Sequence, residues 1–118
     1  MIKASFLETS DGVLYGYEFD GHAGYAEEGT DIVCAACSVL AINTANALEK
    51  LVNAKLTEEE RDGYLKVEVL RLKEGESFPE ATLLLEALKL GLSDIKQSYG
   101  SRYVQLKTWT LPEAAEND

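Results

Sequence analysis

The sequence predicts an α+β fold: a single domain in ββαββαβ order, with two helices packed on a mostly antiparallel sheet. Three observations carry this. Two stretches of alternating apolar and polar residues surround an Asp-Gly pair, once at Asp11-Gly12 and again at Asp62-Gly63. Such alternation marks strands, and Asp-Gly supplies the positive φ that a tight hairpin turn demands. Two longer segments instead repeat their apolar residues at helical spacing. The length, 118 residues, suits one hydrophobic core and is too short for two.

Taken in order, Ile2 to Glu8 and Val13 to Phe19 form the first hairpin. "DGHAG" then sets Gly21 and Gly24 around His22, so the backbone is expected to hinge there as a mobile loop. A helix is predicted from about Asp31 to Val52, with Thr30 or Asp31 as its N-cap. Its expected core stripe is Val33, Leu40, Thr44, Ala47 and Leu51, with Cys37 and Leu48 at the border and Cys34 and Ser38 further round. Lys55 to Glu60 and Tyr64 to Leu72 make the second hairpin. "SFPE" offers Ser77 as a cap, Pro79 in the first turn and Glu80 three residues after the cap, opening a helix that runs to Tyr99 and stops at Gly100. "RYVQLKTW" is the last strand. The domain is expected to span residues 1–112, with 113–118 as an acidic flexible tail. A sheet with helices on one face leaves the other face needing cover, which a homodimer would supply.

Charge narrows the partners. A net charge of -10 and a pI near 4.5 repel phosphate backbones and anionic membranes, so no nucleic acid and no membrane is expected, whereas a basic peptide would be attracted. The N-terminus alternates, and the apolar stretch Ile32 to Leu48 is interrupted by Ser38, Asn43, Thr44 and Asn46. Neither reads as an export signal or a membrane span, which places the chain in the cytoplasm. In that reducing compartment two cysteines three apart are reactive or metal-binding more often than disulfide-bonded. Two thiols and one imidazole leave a closed four-ligand zinc site incomplete without a carboxylate.

The only histidine and both cysteines fall within "GHAGYAEEGTDIVCAACS", residues 21–38. A cysteine in the first turn of a helix has its thiolate stabilised by unpaired N–H groups and the helix dipole, and a nearby imidazole would complete a nucleophile and base. Each residue also has a plainer reading. Cys37 fits a small buried hydrophobe, His22 an ordinary loop histidine, Asp31 a helix cap, and Ser38 a hydroxyl bonded back to the Cys34 carbonyl.

The same stretch, extended to "GHAGYAEEGTDIVCAACSVLA", closely resembles the signature of the ribosomal-processing cysteine protease family, Prp, and the resemblance covers nearly the whole chain. It implies an endopeptidase that removes a short hydrophobic N-terminal extension from a bacterial ribosomal large-subunit protein, supporting ribosome assembly. It implies Cys34 as nucleophile, His22 as general base, Asp31 and Ser38 in support, a homodimer, and no metal or cofactor. Cys37 departs from the pattern, which has an apolar residue there. The resulting "CAAC" makes a Cys34–Cys37 disulfide conceivable and keeps a thiol redox protein as one alternative. A non-enzymatic acidic ribosome-assembly factor is the other.

Overall fold

The computed structural model describes residues 1–21 and 28–111, residues 28–31 by their backbone alone. His22, Gly24 and the expected tail at 113–118 therefore lie outside the described residues. The elements are β1 (Ile2–Glu8), β2 (Leu14–Asp20), α1 (Glu28–Lys50), β3 (Leu56–Arg61), β4 (Tyr64–Val69), α2 (Leu70–Lys73), α3 (Pro79–Tyr99) and β5 (Val104–Thr110). The strands form one sheet in the order β3-β4-β2-β1-β5, antiparallel throughout except for β5, which runs parallel to β1. The α+β class and the mostly antiparallel sheet are as the sequence predicts.

Both Asp-Gly pairs turn hairpins, with the glycine alone at positive φ: Gly12 at 81° and Gly63 at 73°. Residues paired across strands share a face. One row, Glu58, Val67, Tyr17, Phe6 and Thr108, looks toward the helices, because the Tyr17 hydroxyl donates to the Ala41 carbonyl of α1 at 2.7 Å. The row on the opposite face, Glu59, Lys66, Glu18, Ser5 and Lys107, alternates carboxylates with ammonium groups. That row carries its own polar surface, while Leu7 and the half-exposed Trp109 pair further along the same face.

The core lies between the sheet and the helices. Phe6, Tyr17, Val67 and Val104 come from the strands, and Val33, Cys37, Leu48, Leu85 and Leu92 from the helices, all fully buried. Burying one such large side chain contributes about 1.5–3 kcal/mol. α1 approaches α3 closely where Gly91 meets Leu40; a Cβ on Gly91 would stand 3.1 Å from Leu40 Cδ1. The segment Ile32–Lys50 of α1 is long and apolar enough to cross a membrane by length and composition. Its Val33, Cys37, Ala41, Ala45 and Leu48 face is packed into the core, which makes it the core helix of this fold.

Four expectations are corrected. The strand predicted to reach Leu72 ends at Val69 and turns into α2, because its partner β3 begins at Leu56, opposite Val69. Beyond that point a strand would leave its backbone groups unpaired, whereas the helical turn satisfies them locally, as in the Glu74 N–H bond to the Leu70 carbonyl. Ser77 does not cap α3. Phe78 takes the cap position without a side-chain bond, buried beneath the Arg71 guanidinium, which also holds the Ser77 carbonyl at 3.0 Å. The buried stripe of α1 is rotated from the predicted one: Cys37 and Leu48 lie at its centre, while Leu51 is 75% exposed. Finally, α1 opens at Glu28, so Thr30 and Asp31 belong to its first turn and do not cap it.

Candidate active site

The edge of α1 that turns away from α3 borders a cleft of about 250 Å³. Cys34, Cys37, Ser38, Ala41 and Ile42 line it from the helix. Phe19 and Gly21 close it from the end of β2, and residues 60–65 of the β3–β4 hairpin form the opposite wall. Of the residues singled out in the sequence, Cys34, Ser38 and Gly21 are brought together here. His22 and Gly24 lie outside the described residues, as does the side chain of Asp31.

The two thiols, both free, differ in surroundings. Cys34 is half-buried and opens into the cleft, whereas Cys37 is 1% exposed and points into the core. Burial, with Cys34 beside it, pushes the Cys37 thiol up to about 11, so it stays protonated at neutral pH. A protonated thiol is a poor nucleophile. Cys34 is the seventh residue of α1, in its second turn, so the unpaired N–H groups of the helix start, which the sequence suggested as its stabilisers, lie a turn away.

Gly21 fixes the end of β2 from which the chain continues to His22. Its φ is 118°, and a Cβ there would stand 2.3 Å from the Met1 carbonyl oxygen. Its N–H donates to the Gly63 carbonyl at 2.9 Å, tying this corner of the cleft to the β3–β4 turn.

The hairpin wall has two chemical faces. Arg61 bonds Glu59 at 2.6 Å and stacks 3.8 Å over the Tyr64 ring, whose hydroxyl donates to Glu18; that register belongs to the charged face of the sheet. The Tyr64 hydroxyl is pushed up to about 12, first by burial and then by this bond to Glu18. Glu60, paired with Leu65 and in the row of Phe19, lies on the helix side, so the cleft combines an apolar floor with an acidic wall. Sequence reasoning missed this wall. Its only local signal is the Asp62-Gly63 turn, and it reaches Cys34 through strand register. A larger hollow of about 550 Å³, at the β1–β2 turn and the α2–α3 linker, is lined by no thiol among the described residues. Among the described residues no three His, Cys, Asp or Glu side chains gather as metal ligands.

A free thiol opening from a core helix into a cleft, on a two-layer α+β scaffold, is the arrangement a thiol enzyme uses to present its nucleophile. The family model described as cysteine protease Prp matches residues 1–105. The chain is 31% identical over 101 residues to the ribosomal processing cysteine protease Prp of Bacillus subtilis, across 84% of this chain and 90% of that protein. A crystal structure from Streptococcus mutans is 38% identical with a TM-score of 0.75, covering 93% of this chain and 95% of that one. The Prp protease of Staphylococcus aureus with a covalently linked product peptide is 25% identical with a TM-score of 0.77, covering 92% and 100%. The chain belongs to the cysteine protease Prp family.

Proposed function

We propose that this chain is the endopeptidase that removes the N-terminal extension of a bacterial ribosomal large-subunit protein, with Cys34 as nucleophile and His22 as general base. The observation that carries this reading is the half-buried Cys34 thiol opening into a cleft of about 250 Å³. Two features support the substrate class. Phe19, Ile42 and Leu65 give the cleft an apolar floor suited to a hydrophobic extension, and the net charge of -10 attracts a basic ribosomal protein. The Bacillus subtilis relative bears the name of a ribosomal processing protease, which agrees.

His22 accepts the Cys34 proton; the thiolate attacks the scissile carbonyl, and the tetrahedral intermediate collapses to a thioester as His22 protonates the leaving amine. Water, deprotonated by His22, then hydrolyses the thioester and restores the thiol. With Cys34 in the second turn of α1, thiolate formation falls to His22 and not to the helix start. Gly21, pinned to Gly63, serves as the fixed end of the His22 loop, and Gly24 gives it freedom to close over substrate. Asp31 and Ser38 support the pair. The working unit is residues 1–112, with 113–118 as an acidic tail, and it needs no metal or cofactor. It acts in the cytoplasm as a homodimer; Ile32 and Val39 on α1 and Leu83 and Leu90 on α3, all more than half exposed, are the apolar surface that favours self-association.

Mass spectrometry of a peptide bearing the ribosomal-protein extension, incubated with reduced wild type, Cys34→Ala and His22→Ala, tests the reading. Wild type should release one defined fragment, and both variants should lose at least a thousandfold in rate. Equal cleavage by wild type and Cys34→Ala would remove the assignment.

A further inference from the structure

Cys37 has no part in that mechanism, although it shares the cleft with Cys34. A buried free cysteine is ordinarily a small hydrophobe. What sets this one apart is a second free thiol, Cys34, three residues before it on the same helix, inside the same cavity.

We propose that Cys34 and Cys37 form a peroxide-responsive switch, in which oxidation ties the two sulfurs into a disulfide and removes the Cys34 nucleophile. The proposal rests on the Cys34 nucleophile reading and adds regulation of that same site. Cys34 faces the cleft and meets a small uncharged hydroperoxide first, while Cys37 is covered and remains a protonated thiol at neutral pH. The Cys34 thiolate attacks one peroxide oxygen, the O–O bond breaks, and Cys34 becomes a sulfenic acid as hydroxide leaves. Cys37, losing its proton, then attacks the Cys34 sulfur; the S–S bond forms, the S–O bond breaks, and water departs. Two electrons pass from the thiol pair to the peroxide, and a dithiol reductant returns them by exchange.

Helical geometry sets the character of this bond. Residues three apart on a helix hold their Cβ atoms about 5–6 Å apart, and a disulfide requires about 3.5–4.5 Å. One turn of α1 must therefore tighten by roughly 1–2 Å, which the small intervening residues Ala35 and Ala36 permit. A disulfide formed under such strain is readily reduced, the property a switch requires. Held three residues away on the same helix, Cys37 competes for the sulfenic acid with the second peroxide that would convert it irreversibly to sulfinic acid.

The test treats wild type, Cys37→Ala and the bulkier Cys37→Val with hydrogen peroxide, blocks residual thiols with iodoacetamide, and measures the mass of the tryptic peptide spanning residues 4–50, which holds both cysteines. Peptide cleavage is measured before oxidation, after oxidation and after dithiothreitol, each protein against its own reduced state, with circular dichroism as the check on folding. Wild type should lose two hydrogens from that peptide, fall at least tenfold in cleavage, and recover with dithiothreitol. Folded Cys37 variants should gain two oxygens at Cys34 and fail to recover. Sulfinic acid at Cys34 in wild type, or equal recovery in wild type and a folded variant, would overturn the switch. If reduced wild type cleaves nothing, the protease reading fails, while the thiol masses still decide the disulfide.

Discussion

Replacing Gly21 by alanine tests how the scaffold holds the chain just before His22. At φ 118° an alanine is strained, a cost of about 1–3 kcal/mol. The added Cβ would also stand 2.3 Å from the Met1 carbonyl oxygen and 3.5 Å from Ile2 Cα, so the first residues of β1 must be displaced. Releasing that backbone weakens the start of the β1–β5 pairing, where the Ile2 N–H bonds the Tyr103 carbonyl at 2.9 Å, and costs about 1 kcal/mol more. The sum is about 3 kcal/mol, or roughly 12 °C in Tm for a domain of this size. Gly12→Ala is the control: its φ is also positive, at 81°, but nothing lies within 4 Å of the added Cβ. It should cost only the conformational strain, about 1 kcal/mol. Thermal unfolding followed by circular dichroism gives both values. If the two substitutions lower Tm equally, the close approach of Gly21 to Met1 has no energetic weight and the reasoning is wrong.

Tyr17→Phe should cost about 1 kcal/mol in urea unfolding, since it removes the hydroxyl that ties β2 to the Ala41 carbonyl while keeping the buried ring; an unchanged midpoint would show that this bond contributes nothing. Alkaline pH should destabilise the protein. Cys37 titrates near 11 in the fold, above its ordinary value of 9.0, so the folded state keeps a proton that the unfolded chain releases. The stability it contributes is complete below pH 9 and is lost as pH rises through 11, on the order of 2 kcal/mol. Urea midpoints across that range should fall less steeply in Cys37→Ala, and parallel profiles would refute the assignment.

Much of the fold is legible in the sequence because its strands announce themselves locally. Each Asp-Gly pair sits between alternating runs, and both hairpins form there. The core face of α1 is not legible, because the helix carries apolar residues all round: Ile32, Val39, Ile42 and Leu51 are exposed although Val33, Cys37 and Leu48 are buried. Periodicity cannot choose among faces of such a helix; the choice is made by distant contacts, the Tyr17 hydroxyl and the approach of Gly91 to Leu40. The end of β4 depends likewise on where β3 begins. At the site, Cys34 stands out from the sequence by residue type and placement. Glu60, Tyr64 and Leu65 do not, since they reach the cleft only through strand pairing some thirty residues further along the chain.

The central claim is that Cys34 carries the acyl group. Intact mass of the reduced protein, quenched in acid during turnover of the extension peptide, followed by fragmentation to locate the adduct, tests it most directly. A thioester to the N-terminal fragment on Cys34, with Cys37 unmodified, is the predicted result. An adduct on Cys37, or undiminished cleavage by Cys34→Ala, would contradict the account.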